Sequence, residues 1–210
     1  MLSVYPSDRA VAGLVLAHGA GGGQRSRFML LATEALAARR ITVATFDFAY
    51  MAEGRKVPDK APVLEGRWRS AIEAARAAPA FAGLPLFIGG KSMGGRIASH
   101  VAAQHVPGLA GLVFLGYPLH PPGRPEQRRD THLPGVREPM LFVQGTRDVF
   151  GTAADIRGIL PRLNARASLL EVLDGDHSFG VRISVAGKRP DAVLTDIFDG
   201  VAAFIHTCAN

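Results

Sequence analysis

At 210 residues the chain suffices for one domain with one substantial core, and 48% hydrophobic against 20% charged residues excludes a disordered segment. The net charge of +6 is spread over separated arginines (Arg25, Arg55, Arg76, Arg96, Arg128, Arg129, Arg162 and Arg189) rather than massed in a stripe, which argues against a nucleic-acid surface. No apolar run reaches bilayer length, the start "MLSVYPSDRA" lacks the pattern of an export signal, and the single Cys208 allows no internal disulfide, so a reducing cytoplasmic setting is expected.

In chain order, "GLVLAH" (13–18) is a short apolar run expected of a strand buried on both faces. The loop "HGAGGGQ" (18–24) follows it. Phe28, Leu31, Ala32, Ala35 and Leu36 then recur on one helical face, and Arg39 and Arg40 close that helix, where cations suit the dipole. The β-branched "ITVATFDF" (41–48) is the next strand. A polar loop over 51–66 leads to a helix marked by Trp68, Ala71, Ile72 and Ala75. "LPLFIGG" (84–90) is a strand, and 93–105 a helix with Ile97, Ala98, Val101 and Ala102 inward. "LAGLVFLG" (109–116) and "PMLFVQG" (139–145) are strands, separated by a Pro-rich stretch over 117–139 that reads as a loop or minimal cap. Thr152 and Asp155 have capping-box spacing and open a helix with Ile156, Ile159, Leu160 and Leu163 inward. "ASLLEVL" (167–173) is the last strand, and Ile197, Val201, Phe204 and Ile205 mark a final helix. Strand–helix alternation without a linker predicts one α/β domain over 1–210, a mostly parallel sheet of about six to seven strands covered by helices on both faces, with no large lid.

"PLFIGGKSMGGR" (85–96) contains both Gly-Lys-Ser and Gly-x-Ser-x-Gly. A phosphate-binding loop needs its first glycine five residues before Gly90, where Pro85 stands, and its flexible positions here read as strand. The nucleophile turn needs a buried strand, then Gly-x-Ser-x-Gly, then a helix, and all three are present around Ser92. Gly90 and Gly94 fit a crossing of strand and helix too close for a Cβ. A serine hydroxyl is inert without a base, and the base needs an acid to hold it. In a parallel sheet such groups lie just past the carboxyl ends of later strands. "TRDVFG" offers Asp148 and "DGDHSFG" offers His177, in the order Ser, Asp, His. Asp174 and Asp176 read as turn residues beside His177.

Negative charge developing on the attacked carbonyl needs amide donors. Met93, the residue after Ser92, supplies one. The 18–24 loop supplies the other, from Ala20 or, as the alternative, Gly21. His18 reads as a structural hydrogen-bonder of that loop. Its glycines lack dinucleotide-binding spacing. Phe48, Tyr50, Tyr117, Leu119 and Phe179, on loops after strands, are the expected substrate-pocket walls, with Arg55, Lys56, Lys91 and Arg147 as candidates for a cationic rim favouring an anionic substrate. The remaining histidines and Cys208 show no metal-ligand spacing, so no metal and no cofactor are expected.

The motifs "GGKSMGGR", "HGAGGG", "GTRDVFG" and "DGDHSF", with "FDFAYM", "GRKVPD" and "LGYPLHPPGRPE", resemble the α/β-hydrolase superfamily, specifically its short cap-less group related to dienelactone hydrolases and testis-expressed hydrolase-like proteins. The resemblance, from about residue 12 onward, implies a triad of Ser92, Asp148 and His177. Dienelactone hydrolases carry a cysteine where this chain has Ser92, so a lactone substrate does not carry over. The short length suggests missing first strands and no lid domain. The expected activity is a serine hydrolase acting on a small ester or thioester through an acyl-enzyme, with carboxylesterase and thioesterase types both open. The alternative is an interaction scaffold on the same fold with a vestigial triad. No nucleic-acid partner and no membrane span are expected.

Overall fold

The computed structural model describes residues 1–163 and 166–209. Its strands are β1 (Leu2–Tyr5), β2 (Ala12–Ala17), β3 (Ile41–Phe46), β4 (Leu86–Lys91), β5 (Leu109–Leu115), β6 (Met140–Gly145) and β7 (Ala167–Val172). They form a seven-stranded sheet in the order β1-β3-β2-β4-β5-β6-β7. β1 pairs antiparallel with β3, and the other pairings are parallel. β1 was not expected: its four residues are all half-buried, so the sequence carries neither a continuous apolar run nor a clean alternation. An antiparallel edge strand thus precedes the first of the parallel strands.

The helices are α1 (Arg27–Ala37), α2 (Ala49–Ala52), α3 (Ala61–Ala77), α4 (Met93–Ala102), α5 (Ala153–Ile159), α6 (Ile183–Ala186) and α7 (Pro190–Ala209). β2 and β3 are buried along their whole length because helices cover both faces, which is why they read as unbroken apolar runs. One face packs on α3, α4 and α5 through Trp68, Ile72, Ile97, Val101, Ile156 and Ile159. The other packs on α1 and α7 through Met29, Leu36, Ile197, Val201 and Ile205. In α1 the inward residues are Met29, Ala32, Thr33 and Leu36, while Leu31, expected inward, is turned to solvent. Consecutive Met29, Leu30 and Leu31 leave the phase of the stripe open, and the sheet selects Met29.

α7 is long and apolar enough, by length and composition alone, to cross a bilayer, which the reading of the sequence had not anticipated. Its apolar stripe is instead packed on the sheet. The 117–139 stretch stays a loop with one short 3₁₀ turn over Leu133–Gly135, and no large lid stands over the strand ends. α5 opens with the expected capping box: the Asp155 amide donates to Thr152 Oγ1 (3.2 Å) and the Thr152 amide to Asp155 Oδ2 (2.8 Å).

The tightest junction is where β4 turns into α4 beside the end of β2. A Cβ on Gly90 would lie 2.5 Å from the Ala17 carbonyl oxygen and 2.8 Å from the backbone of Gly94. One on Gly94 would lie 2.5 Å from the Ala17 oxygen and 2.6 Å from that of His18. The obstacles are backbone, which cannot rotate away. Overpacking of this kind costs about 1–3 kcal/mol. Gly94→Ala should therefore lower the melting temperature by roughly 2–12 °C, using about 2–4 °C per kcal/mol for a chain this size. An unchanged thermal transition would contradict the packing described.

Candidate active site

Ser92 joins β4 to α4 with φ 51° and ψ −118°, a conformation that side chains other than glycine rarely adopt. Such a backbone costs on the order of 1–3 kcal/mol and persists only when its surroundings over-determine it. Here the Ser92 amide donates to the Leu115 carbonyl (3.0 Å) and the Ser92 carbonyl accepts from the Arg96 amide (3.1 Å). The glycine-lined crossing fixes the rest, and Trp68 Nε1 donates to the Gly94 carbonyl (3.1 Å) from α3.

The turn aims the hydroxyl at the loop after β7. Ser92 Oγ lies 2.8 Å from His177 Nε2, and His177 Nδ1 lies 2.8 Å from Asp148 Oδ2. A carboxylate only accepts, so Nδ1 carries the proton and Nε2 presents its lone pair to the serine O–H. Asp148 is 1% exposed, and its oxygens are filled. Gln144 Nε2 donates to Oδ2 (2.9 Å) and the Phe150 amide to Oδ1 (2.9 Å). The Phe150 ring packs 4.3 Å from the imidazole, centre to centre. Lys91 Nζ donates to the His177 carbonyl (2.6 Å), and burial brings its ammonium down to about 8. Asp174 and Asp176 lie outside this chain of bonds. Asp174 is held by Arg147 and Arg182; the hydrogen bonds of Arg182, aided by the charge of Arg147, keep its carboxyl far below the usual range. Asp176 Oδ1 accepts from the amides of Ser178 and Gly180, both at 2.8 Å, and shapes the turn.

The 18–24 loop is fixed from beneath. His18 is fully buried; Nδ1 meets the Gly19 carbonyl (2.8 Å) and Nε2 meets the Phe48 amide (3.2 Å). A carbonyl accepts and an amide donates, so His18 must be neutral with its proton on Nδ1. Burial accordingly holds its pKa below the ordinary value. The Gly19 carbonyl being tied to His18, the planar peptide directs the Ala20 N–H the opposite way. Tyr50 Oη donates to the Ala20 carbonyl (3.0 Å). Gln24 is bound to Asp47 through its backbone amide (2.7 Å) and Nε2 (3.0 Å). Among the described residues, the amides of Ala20, Gly21 and Met93 donate to no protein acceptor, and Met93 is the first residue of α4, where the helix dipole is positive.

Two cavities meet at Ser92. One, of about 340 Å³, is lined by Gly19–Gly22, Phe28, Met29, Lys91, Phe150 and His177. The other, of about 290 Å³, is lined by Leu64, Met93, Arg96, Pro118, Arg129 and Phe150, among others. The five side chains expected as walls line neither. Phe48, Tyr50, Tyr117 and Leu119 are fully buried and Phe179 nearly so. Phe48 stacks on Tyr50 and packs edge-on against Phe46, Tyr117 packs on Phe114 and Phe142, and Phe179 lies by Phe28. They are core: Phe48, Tyr50, Tyr117 and Leu119 join the cluster on the α3–α4–α5 face of the sheet, and Phe179 the one on the α1–α7 face. Of the expected cationic rim only Lys91 lines a cavity at Ser92, with its Nζ bonded to the His177 carbonyl; Arg55, paired with Glu53 and Asp59, Arg147, paired with Asp174, and Lys56 line neither. His132 and His100 line a separate depression, with ring centres 4.1 Å apart. No group of three metal-ligating side chains occurs among the described residues.

Burial lowers the pKa of His18, of His100, and of His132, which falls to about 4. On acidification the unfolded chain takes up these protons first, near pH 6.5, so their stabilising share is complete above that pH and is lost progressively toward about 4. Denaturant midpoints should be lower at pH 5 than at pH 7.5, and His132→Gln should remove part of the difference. Equal midpoints would contradict the neutral, buried state assigned to these rings.

The fold has known counterparts. A dienelactone hydrolase from Anabaena variabilis superposes with a TM-score of 0.76 at 20% identity, covering 98% of this chain and 90% of that one. XC6422 from Xanthomonas campestris, described as a serine hydrolase without lid, gives 0.70 at 20% identity over 95% and 86%. Est1E from Butyrivibrio proteoclasticus, solved with ferulic acid bound, gives 0.70 at 14% identity over 96% of both chains. The family described as an alpha/beta hydrolase domain matches residues 10–206, and the chain belongs to that family.

Proposed function

We propose that the protein is a serine hydrolase that cleaves a small ester or thioester through an acyl-enzyme. The observation that carries this reading is the unbroken hydrogen-bonded run from Ser92 Oγ through His177 to buried Asp148, beside two unengaged amides. Esterase-like and lidless hydrolase neighbours support it.

Ser92 Oγ forms a bond to the substrate carbonyl carbon as its proton passes to His177 Nε2. The carbonyl oxygen becomes an oxyanion, held by the amides of Met93 and Ala20. The bond to the leaving oxygen or sulfur then breaks, and His177 returns the proton to that atom. Water enters, gives its proton to His177 and its oxygen to the acyl carbon, and Ser92 is released with its proton restored. Asp148 keeps the imidazole in the required tautomer and stabilises the imidazolium, without accepting a proton itself. Gln144 is a positioning residue, since it holds the Asp148 oxygen that meets the imidazole. The open mouth suits small soluble substrates, and the single cysteine suits a reducing compartment.

Ser92→Ala should lower kcat on 4-nitrophenyl butyrate by about 10⁴–10⁶ while the far-ultraviolet spectrum and thermal transition persist. Asp148→Asn should cost about 10⁴. Undiminished turnover by purified, folded Ser92→Ala protein would overturn the reading.

A further inference from the structure

We propose that Arg96 and Arg129 form an anion-binding subsite on the acyl side of Ser92, which selects esters or thioesters whose acyl chain ends in a carboxylate. This inference rests on the serine-hydrolase reading and names its substrate class.

The two cavities at Ser92 are not equivalent. His177 lines only the first. A leaving group must meet His177 Nε2 to receive its proton, so it occupies that cavity, and the acyl chain turns into the second. There Leu64, Met93, Pro118 and Phe150 supply apolar walls, and the cations are Arg96 and Arg129. Arg96 lies one turn along α4 from Ser92, its amide bonded to the Ser92 carbonyl.

The state of these two arginines sets them apart. Among the described residues, Arg96 Nε is the one buried side-chain nitrogen or oxygen atom without a hydrogen-bond partner. No hydrogen bond or ion pair engages either guanidinium among those residues, although both side chains are half-buried. Arg55, Arg128, Arg147 and Arg182 all have carboxylate partners. Arg96 is held below its ordinary pKa first by burial and then by the positive charge of Arg129, with Tyr117 and Glu65 acting the other way to a smaller extent, and both arginines line the same cavity. The acids nearby are committed elsewhere. Asp59, on the wall of the cavity, accepts from Arg55 and from the Tyr50 amide. Asp130 is taken by Arg128 and Arg162, and Glu65 by His100 and Gln104.

Two half-buried guanidinium groups of like charge, neither with an acceptor, carry a cost that a bound anion removes. A guanidinium presents a planar fork that matches a carboxylate, and a second cation alongside strengthens the site. A cavity of about 290 Å³ lined by apolar walls and two cations fits a short methylene chain with a terminal carboxylate better than a bulky headgroup.

The test compares the 4-nitrophenyl monoester of adipic acid with 4-nitrophenyl hexanoate, which has the same chain length without the charge. The expected ratio of kcat/KM favours the anionic ester by about 10–100-fold, the range of a charge-assisted contact. R129Q, on the surface loop, and R96Q, on α4, should each move that ratio toward one. Equal turnover of the two esters by the unaltered protein, or an equal loss on both esters in each variant, would overturn the inference and leave the hydrolase reading intact. Calorimetric titration of the Ser92→Ala protein with monomethyl adipate reads the subsite without any chemistry. Binding that weakens in the R96Q and R129Q backgrounds supports the subsite, and absence of binding removes it. If neither ester is hydrolysed, the hydrolase reading fails, and this titration alone decides whether the anion site stands.

Discussion

The structure depends on how closely β4 and α4 pass the end of β2. At Gly90 and Gly94 no Cβ fits between backbones, and that contact forces the chain to reverse within one residue. The residue is Ser92, held at φ 51° by amide and carbonyl bonds on both sides. An ordinary turn would spread the reversal over several residues and let the side chain wander. Here the strain is concentrated at one residue, and the hydroxyl has a single direction, out from the strand ends toward His177. A shift of a few tenths of an ångström at either glycine crossing moves the 2.8 Å contact on which the proposed proton transfer depends.

The groups around Ser92 are held by polar contacts that are themselves satisfied. Gln144 engages the Tyr117 carbonyl and amide, the Gly151 carbonyl and Asp148, tying the acid-bearing loop to the end of β5. His18 ties the glycine loop to the Phe48 amide, and Gln24 ties its far end to Asp47. Buried networks of this kind rigidify a site when every member is paired, and are costly when one is not. Against that background the unpaired Arg96 Nε is an exception with a location: it lies one helical turn from Ser92, on a residue that lines a cavity.

The sequence carries the relation of Ser92, Asp148 and His177 because it depends on local rules. A strand, a Gly-x-Ser-x-Gly turn and a helix are contiguous, and the other two residues lie in short loops just past buried strands. The capping box at Thr152 is legible for the same reason. Which face a residue turns to after the strand ends is not local. Phe48, Tyr50, Tyr117, Leu119 and Phe179 sit at the right places to wall a pocket, yet the overlying helices draw all five into the core. The pocket walls instead come partly from Phe28, Met29 and Phe150. Pairing is equally invisible in one dimension. Arg55 and Arg96 look alike in a list of scattered cations; one is neutralised by Asp59 and Glu53, the other faces Arg129. Within α1, three consecutive apolar residues hid which one the sheet would select.

Concentrated strain, a satisfied relay and two free amides together amount to one claim: the Ser92 hydroxyl is chemically activated in the resting fold. Intact-protein mass spectrometry after exposure to a fluorophosphonate tests that claim most directly, because the reagent needs an activated serine and no knowledge of the substrate. The account predicts one adduct per chain, mapped to the peptide containing Ser92 and absent from the Ser92→Ala protein. A folded protein that takes up no adduct, or that labels equally without Ser92, would contradict it.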